Sequence, residues 1–466
     1  MDDDLLEAKA RETNFCQRNR KLSPRHFLEM LLCKCFSANQ ESLVDHAIDL
    51  KLNRGIEIKK QSIHSRFTDN AVNFIKSLVS NQLSKRLSLP SAYLDMFPTI
   101  LIQDSTRFGL PESFHEQYAG YGGRGAKAGG KIQFVYDLKT HQMCHSSLGA
   151  MTENDLTASK NNEWITEGAL ILRDLGYYSH DGLEEIANKK AFFISKVKPK
   201  TALFDLDGQR FELVKLVEKM KRAGIMSLEK ELLIGHEKKI KARVIFSIVP
   251  DGVKKQRASA VAYKANNKNY TVQKEYKVWT GINVFITNVS KDRLTPEQIM
   301  SIYRLRWQVE LVFKTWKSHY KIDQYKTMRK ERMECYVYAT LLLILLQWRI
   351  FSWLNHSSVR NGIFLSLHKF SKLMIHLTIL FNEAVVRNKI KINVFLHHVI
   401  ALSKSYLQKE KKKNKVCFTD IVNPHDYLSC IGKQEAQPLP THPLGIKKYE
   451  TSTPHGVEYP KANHLN

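Results

Sequence analysis

Tyr303, Arg306, Glu310 and Lys317 stand with two, three and six residues between them, inside the stretch Ser301 to Lys317. At roughly 100° per residue, an α-helix brings these four side chains within an arc of about 60°. A phenol and two cations on one stripe are groups that grip phosphate, and the carboxylate among them is a hard oxygen donor. The other positions of this helix include Leu305, Trp307, Val309, Leu311, Val312, Phe313 and Trp316, spread around its circumference, which predicts a mostly buried element. Charges buried in such surroundings are costly without a ligand. The plain alternative is an Arg306–Glu310 ion pair at i,i+4 on a solvated face.

One glutamate is a poor cation site, so partners must come from elsewhere. Thr99-Ile-Leu-Ile-Gln-Asp104 and Ala169-Leu-Ile-Leu-Arg-Asp174 are each a short apolar run closed by an acid, the pattern of a buried strand. Three carboxylates on elements packed against one sheet form the oxygen-ligand site that magnesium prefers. Two such ions about 3.5 to 4 Å apart activate a water or a 3′ hydroxyl and stabilise the departing oxygen of a phosphodiester. Asp104, Asp174 and Glu310 meet that description. Asp137, Asp155 and Asp181 read as surface or turn acids, but the residues alone leave them open as substitutes.

The spacing Y-x2-R-x3-E-x6-K, with Asp104 and the segment Asp174-Leu-Gly-Tyr-Tyr178 upstream, resembles the signature of the DDE transposases of bacterial insertion sequences. The resemblance runs over roughly residues 97 to 350. It implies that Asp104, Asp174 and Glu310 are catalytic and hold two Mg2+ ions, with Mn2+ able to substitute, and it favours Asp174 over Asp181. It also implies that Tyr303, Arg306 and Lys317 contact phosphates near the cut. Trp307 occupies a place where relatives stack an aromatic on a displaced base, against the alternative of core packing, with Trp279 a weaker candidate. The implied activity is binding of terminal inverted repeats and cut-and-paste transposition, through a hairpin, by a DNA-bound homodimer in a paired-end complex. The rival readings are a structure-selective nuclease of the same fold and a non-cutting DNA-binding descendant.

Around these residues the chain must build a sheet. Lys131–Asp137 and Met143–Ala150 read as two further strands with a turn at Lys139 to Gln142, and Ala191–Val197 as a fifth after a helix at Gly182–Asn188. Three consecutive strands, a connection and two more predict an α/β, ribonuclease H-like core. Thr295-Pro-Glu-Gln298 supplies a cap, a first-turn proline and a capping-box glutamine, so the signature helix starts there. The expected organisation is a helical region over 1–92, either a DNA-binding module or a plain cap. The first part of the core follows over 93–198 and a β-rich insertion over 199–294. The rest of the core with C-terminal helices spans 295–408, and a basic linker with a disordered tail spans 409–466. Strand-like segments at Glu212-Leu-Val, Ala242–Ile248 and Val278–Val289, with a basic loop Lys254-Lys-Gln-Arg257 between them, mark the insertion.

Lys and Arg number 72 against 46 acids, a formal charge of +26, which points to a polyanion such as double-stranded DNA. The apolar run Tyr336–Leu346 is too short to span a bilayer and reads as a core helix, and the acidic start Met-Asp-Asp-Asp does not resemble a signal peptide. No membrane partner is expected. The expected location is the bacterial cytoplasm, on the nucleoid when DNA is bound. The 7 cysteines are scattered without a CxxC, so neither a disulfide framework nor a zinc site is indicated. Gly125-Ala-Lys-Ala-Gly-Gly-Lys131 imitates a phosphate loop, but Ile132 replaces the hydroxyl residue and a strand follows, so no nucleotide cofactor is expected. Arg124, Lys127 and Lys131 read instead as phosphate contacts on a flexible basic loop.

Overall fold

The computed structural model describes residues 2–410, apart from 19, 34–41, 86–95, 124, 159–161, 237–238, 268, 360 and 362. Arg124 and the tail from 411 onward therefore lie outside the described residues. Helices α1 (Asp3–Glu12), α2 (Pro24–Leu32), α3 (Leu43–Arg54), α4 (Lys60–His64) and α5 (Asp69–Ser84) open the chain. Ser23, Ser42 and Thr68 cap α2, α3 and α5, each accepting a backbone N–H at the third helical position.

The first three strands, β1 (Ile100–Leu110), β2 (Ala128–Asp137) and β3 (Gln142–Ala150), pair antiparallel. After a short helix α6 (Asp155–Ala158) comes β4 (Leu170–Arg173), parallel to β1, then α7 (His180–Asn188) and β5 (Phe192–Lys196), parallel to β4. This spatial order, 3-2-1-4-5, is the ribonuclease H-like core expected from the sequence. Alternation along the strands sends Ile100, Ile102, Phe134, Leu170 and Leu172 to one hydrophobic core, and Leu101, Val135, Ile171 and Phe193 to the other. Helices cover both faces. β1 runs six residues past Asp104, further than the apolar run suggested, because β2 continues to pair with it as far as Leu110.

The insertion contributes β6 (Leu203–Phe204), α8 (Leu213–Arg222), β7 (Ser227–Ile234), β8 (Ile240–Ile248), α9 (Asp251–Asn267), α10 (Lys274–Thr280) and β9 (Ile282–Thr287). Its strands extend the same sheet, with β9 antiparallel to both β5 and β8, giving the order 3-2-1-4-5-9-8-7-6. Three local expectations are corrected. Glu212-Leu-Val opens helix α8, whose apolar Leu213, Leu216, Val217 and Met220 follow helical spacing. Lys254 to Arg257 lie within α9, a solvent-facing helix, and the first part of Val278–Val289 completes α10 before Gly281 ends it.

The signature segment follows as α11 (Pro296–Arg304), a single 3-10 turn (Leu305–Trp307) and α12 (Gln308–Tyr320). Thr295 and Gln298 form the expected capping box. The 30-residue α13 (Lys330–Val359) crosses beneath them, and α14 (Leu367–His376), α15 (Thr378–Phe381) and α16 (Ile392–Tyr406) complete the described chain. By length and composition α13 could span a membrane, unlike the short run read from sequence, yet 89% of its most apolar window is buried inside the protein. α2 and α5 pack on it, so the N-terminal helices share one core with the C-terminal ones. His46 meets the Tyr336 hydroxyl at 3.0 Å, and Arg349 donates to Gln82 at 2.8 Å across this seam.

Candidate active site

Parallel register between β1 and β4 ends at Gln103 opposite Arg173, and one further step sets Asp104 beside Asp174. There β4 stops in a 3-10 turn (Leu175–Tyr177) while β1 continues with β2, so the sheet opens at the two acids. Asp104 shares the face of Ile100 and Ile102, the face on which α12 packs. The third carboxylate, Glu310, lies in the first turn of α12.

A single guanidinium gathers all three. Arg306 lies 2.8 Å from Asp104 Oδ2, 3.2 Å from Glu310 Oε1 and 3.8 Å from Asp174 Oδ1. Burial pushes the Asp104 carboxyl up to about 6; the Ser105 backbone N–H and Arg306 pull it back, and the neighbouring Asp174 and Glu310 push the same way as burial. Burial opposes the charge of Arg306, but Asp174, Asp104, Tyr303 and Glu310 together hold its pKa above the ordinary value. Among the described residues, no three acidic, histidine or cysteine side chains already surround a common point at metal-ligand distance. The donor set nonetheless fits a hard divalent cation. It is all carboxylate oxygen, drawn from three separate segments, and Arg306 neutralises only one of its three charges.

The other signature residues divide. Tyr303 is buried, and its hydroxyl donates to the Arg173 carbonyl at 3.2 Å, bracing the residue before Asp174 rather than facing a phosphate. Lys317 donates to the Arg107 carbonyl of β1 at 2.8 Å, beside an open groove lined by Glu310, Phe313, Lys314, Ser318 and Lys321. The expectation of a mostly buried helix fails on one side. Trp307 is 57% exposed and Leu311 44%, so core packing does not account for Trp307. Trp279, by contrast, packs against the second core.

Lys127 is an exposed residue paired with Glu112 at 2.6 Å. Lys131 is corrected more sharply. It lies within β2, fully buried, with Nζ 3.0 Å from Asp155 Oδ1 and also donating to the Glu153 carbonyl, so it is not on a loop facing DNA. Asp155 is likewise no surface acid but the centre of a bonded cluster beside the site. Asp137 ends β2 as the turn acid expected, accepting from Thr140 at 2.6 Å and from the Lys139 backbone N–H at 3.1 Å. Asp181 lies in the first turn of α7.

Sequence reading passed over Lys196, at the end of β5. Its Nζ lies 5.6 Å from the Tyr303 ring centre and 5.7 Å from that of Phe285. Burial lowers its pKa, helped by Arg257 and Arg306 and opposed by Asp174, so it is electrically part of the site. The signal was present as the basic run Lys196-Val-Lys-Pro-Lys200 at the end of the fifth strand.

Comparison with known proteins shows the family of the chain. The model of the Transposase DDE domain family matches residues 95–346. The transposase for insertion sequence element IS231D of Bacillus thuringiensis subsp. finitimus is 29% identical over 92% of this chain and 95% of its own length. The transposase for element IS1151 of Clostridium perfringens is 27% identical over 72% of this chain and 76% of its own. Among solved structures, a cryo-EM structure of the piggyBac transposase synaptic complex with hairpin DNA aligns with a TM-score of 0.41 and 12% identity, over 89% of this chain and 84% of that one. The chain therefore belongs to the Transposase DDE domain family: it is a divalent-metal-dependent DDE transposase of a bacterial insertion sequence, an enzyme that acts on DNA.

Proposed function

We propose that the chain binds the terminal inverted repeats of its own element and moves it by cutting and pasting, with Asp104, Asp174 and Glu310 as the catalytic carboxylates. The observation that carries this reading is the convergence of three acids from β1, the end of β4 and α12 on one guanidinium. Two Mg2+ ions held by these acids would supply the activation of a water or 3′ hydroxyl and the stabilisation of the leaving oxygen. The chain's own residues do the positioning. Tyr303 fixes the backbone that presents Asp174. Arg306, beside all three acids, has the planar fork that suits a phosphate in bidentate fashion. Lys314, Lys317 and Lys321 carry the backbone away along α12, and exposed Trp307 offers a surface on which a displaced base stacks.

The family resemblance extends the proposal to a homodimer that pairs two ends, to a hairpin intermediate and to action in the cytoplasm. The test is strand cleavage of supercoiled DNA carrying the sequences that flank this gene, with Mg2+, comparing wild type with Glu310→Gln. Cuts at flanking repeats that disappear in the variant are the expected result. Cuts unrelated to repeats would favour a different nuclease, and binding without cuts in either protein a non-cutting descendant.

A further inference from the structure

Asp155 receives more donors than a surface acid needs. Its Oδ1 accepts from Lys131 Nζ at 3.0 Å, Gln133 Nε2 at 3.0 Å and the Ser105 hydroxyl at 3.2 Å, and Oδ2 from Arg107 at 3.4 Å. Each donor sits on a strand beside the site, Ser105 and Arg107 on β1 and Lys131 and Gln133 on β2. Two of these links lead to the catalytic acids. The Ser105 backbone N–H donates to Asp104 Oδ1 at 2.8 Å. The Gln133 amide oxygen accepts from the Tyr177 hydroxyl, in the turn that follows Asp174.

Gly176 in that turn shows how closely the cluster is fitted. A Cβ there would stand 3.3 Å from Asp155 Oδ2, close enough to push the carboxylate by a few tenths of an ångström, and the glycine is not in a left-handed turn. Lys131, a fully buried ammonium, has Asp155 as its charge partner. A buried pair of this kind is often no more stabilising than an apolar replacement, so stability alone does not account for it.

We propose that Lys131 and Asp155 are positioning residues that set the distance between the catalytic aspartates. Through Asp155 the pair joins β1 to β2, and Gln133, which also donates to Asp155, accepts from Tyr177 in the turn after β4, so the cluster holds Asp104 against Asp174 at the point where the sheet opens. The inference rests on the proposed roles of those two aspartates.

The test uses the full-length protein bound to flanking-end DNA. In the double variant Lys131→Met/Asp155→Asn both charges are gone, so neither is left buried alone. Free Mn2+ is followed by electron paramagnetic resonance, which needs no turnover, alongside thermal melting, end binding and Mg2+-dependent cleavage. Expected are melting and end binding near wild type, with Mn2+ affinity and cleavage each falling about tenfold to a hundredfold, the range for removing groups that orient metal ligands. Ser105→Ala, which cuts one link and leaves the pair intact, should lower both several-fold with unchanged melting, and it carries the test if the double variant does not fold. Wild-type Mn2+ affinity and cleavage per folded molecule in whichever variants fold would overturn the proposal, even if melting drops. Asp104→Asn serves as the control: if it still cleaves, the assignment of the catalytic acids has failed; if it is dead while the other variants are normal, only the positioning role has failed.

Discussion

Two arginines, Arg243 buried in the insertion half of the sheet and Arg306 part-buried in the turn that packs on the core half, show what separates a structural charge from a chemical one. Arg243 on β8 pairs with one carboxylate, Glu229 on β7, and its remaining donors reach the carbonyls of Val289, Ser290 and Leu294 at 3.4, 3.4 and 2.7 Å. Glu229 also meets Lys291 at 3.3 Å, so no negative charge is left over there, and Arg243 fastens the loop leading to Thr295, the cap of α11. Arg306 faces three carboxylates, so negative charge is left over. A balanced pair with saturated donors holds structure in place, while an unbalanced one creates demand for a further cation.

That contrast can be broken, beginning with its largest consequence. Glu310→Gln removes one unbalanced charge and should lower cleavage at least about a thousandfold, since a few kcal/mol of lost charge stabilisation in the transition state is enough at about 1.4 kcal/mol per tenfold. Arg243→Ala should cost stability instead, about 1 to 3 kcal/mol by chemical denaturation, because the Val289 and Leu294 carbonyls lose its donors and Glu229 is left with Lys291 alone. If Arg243→Ala proved harmless to stability yet fatal to cleavage, the division between the two arginines would be wrong.

The metal-free protein offers a finer probe. The folded pKa of Asp104, about 6, stands above its unfolded value of 3.8. In the window between them the folded state keeps a proton that the unfolded chain has lost. The favourable contribution of this group is therefore complete below about pH 4 and lost as pH rises through about 6, a change of about 3 kcal/mol. The difference in stability between Asp104→Asn and wild type should grow across that window, measured by urea unfolding in chelator. A flat difference would mean that burial does not raise this carboxyl.

Smaller effects mark the edges of the site. Lys317→Ala removes one cation beside the groove and should slow strand transfer by about tenfold, the scale of a single charged hydrogen bond, with little effect on melting. Asp181→Asn should change cleavage within experimental error and stability by about 0.5 kcal/mol or less, as for a surface acid in a first helical turn. Loss of cleavage in Asp181→Asn would reassign the second acid.

The contrast between the halves also governs what the sequence reveals. Strands β1, β2, β4 and β5 announce themselves because each contains an apolar run with few rivals, and the acids that follow two of those runs mark where β1 and β4 part. The insertion is harder to read. Its helices α8 and α9 are rich in lysine and carry only short apolar stretches, and their helical form depends on packing and on spacing that a strand pattern imitates over three residues. The signature spacing located Glu310 and Arg306 because i,i+4 geometry survives the 3-10 turn between α11 and α12. The partner of Tyr303 and the burial of Lys131 were not legible, since they depend on the Arg173 carbonyl and on Asp155, which are 130 and 24 residues away in the chain. Trp307 misleads in the opposite direction, as an aromatic in an apolar stretch that nevertheless faces outward.

The double pairing of β9 has a mechanical meaning. A strand bonded to β5 on one edge and β8 on the other leaves no hinge between the insertion and the core. Tension on α9 passes through backbone hydrogen bonds into β5, the strand alongside the one whose end presents Asp174. A load on the insertion is therefore felt at the carboxyl end of β4, and the two halves of the sheet move as one body.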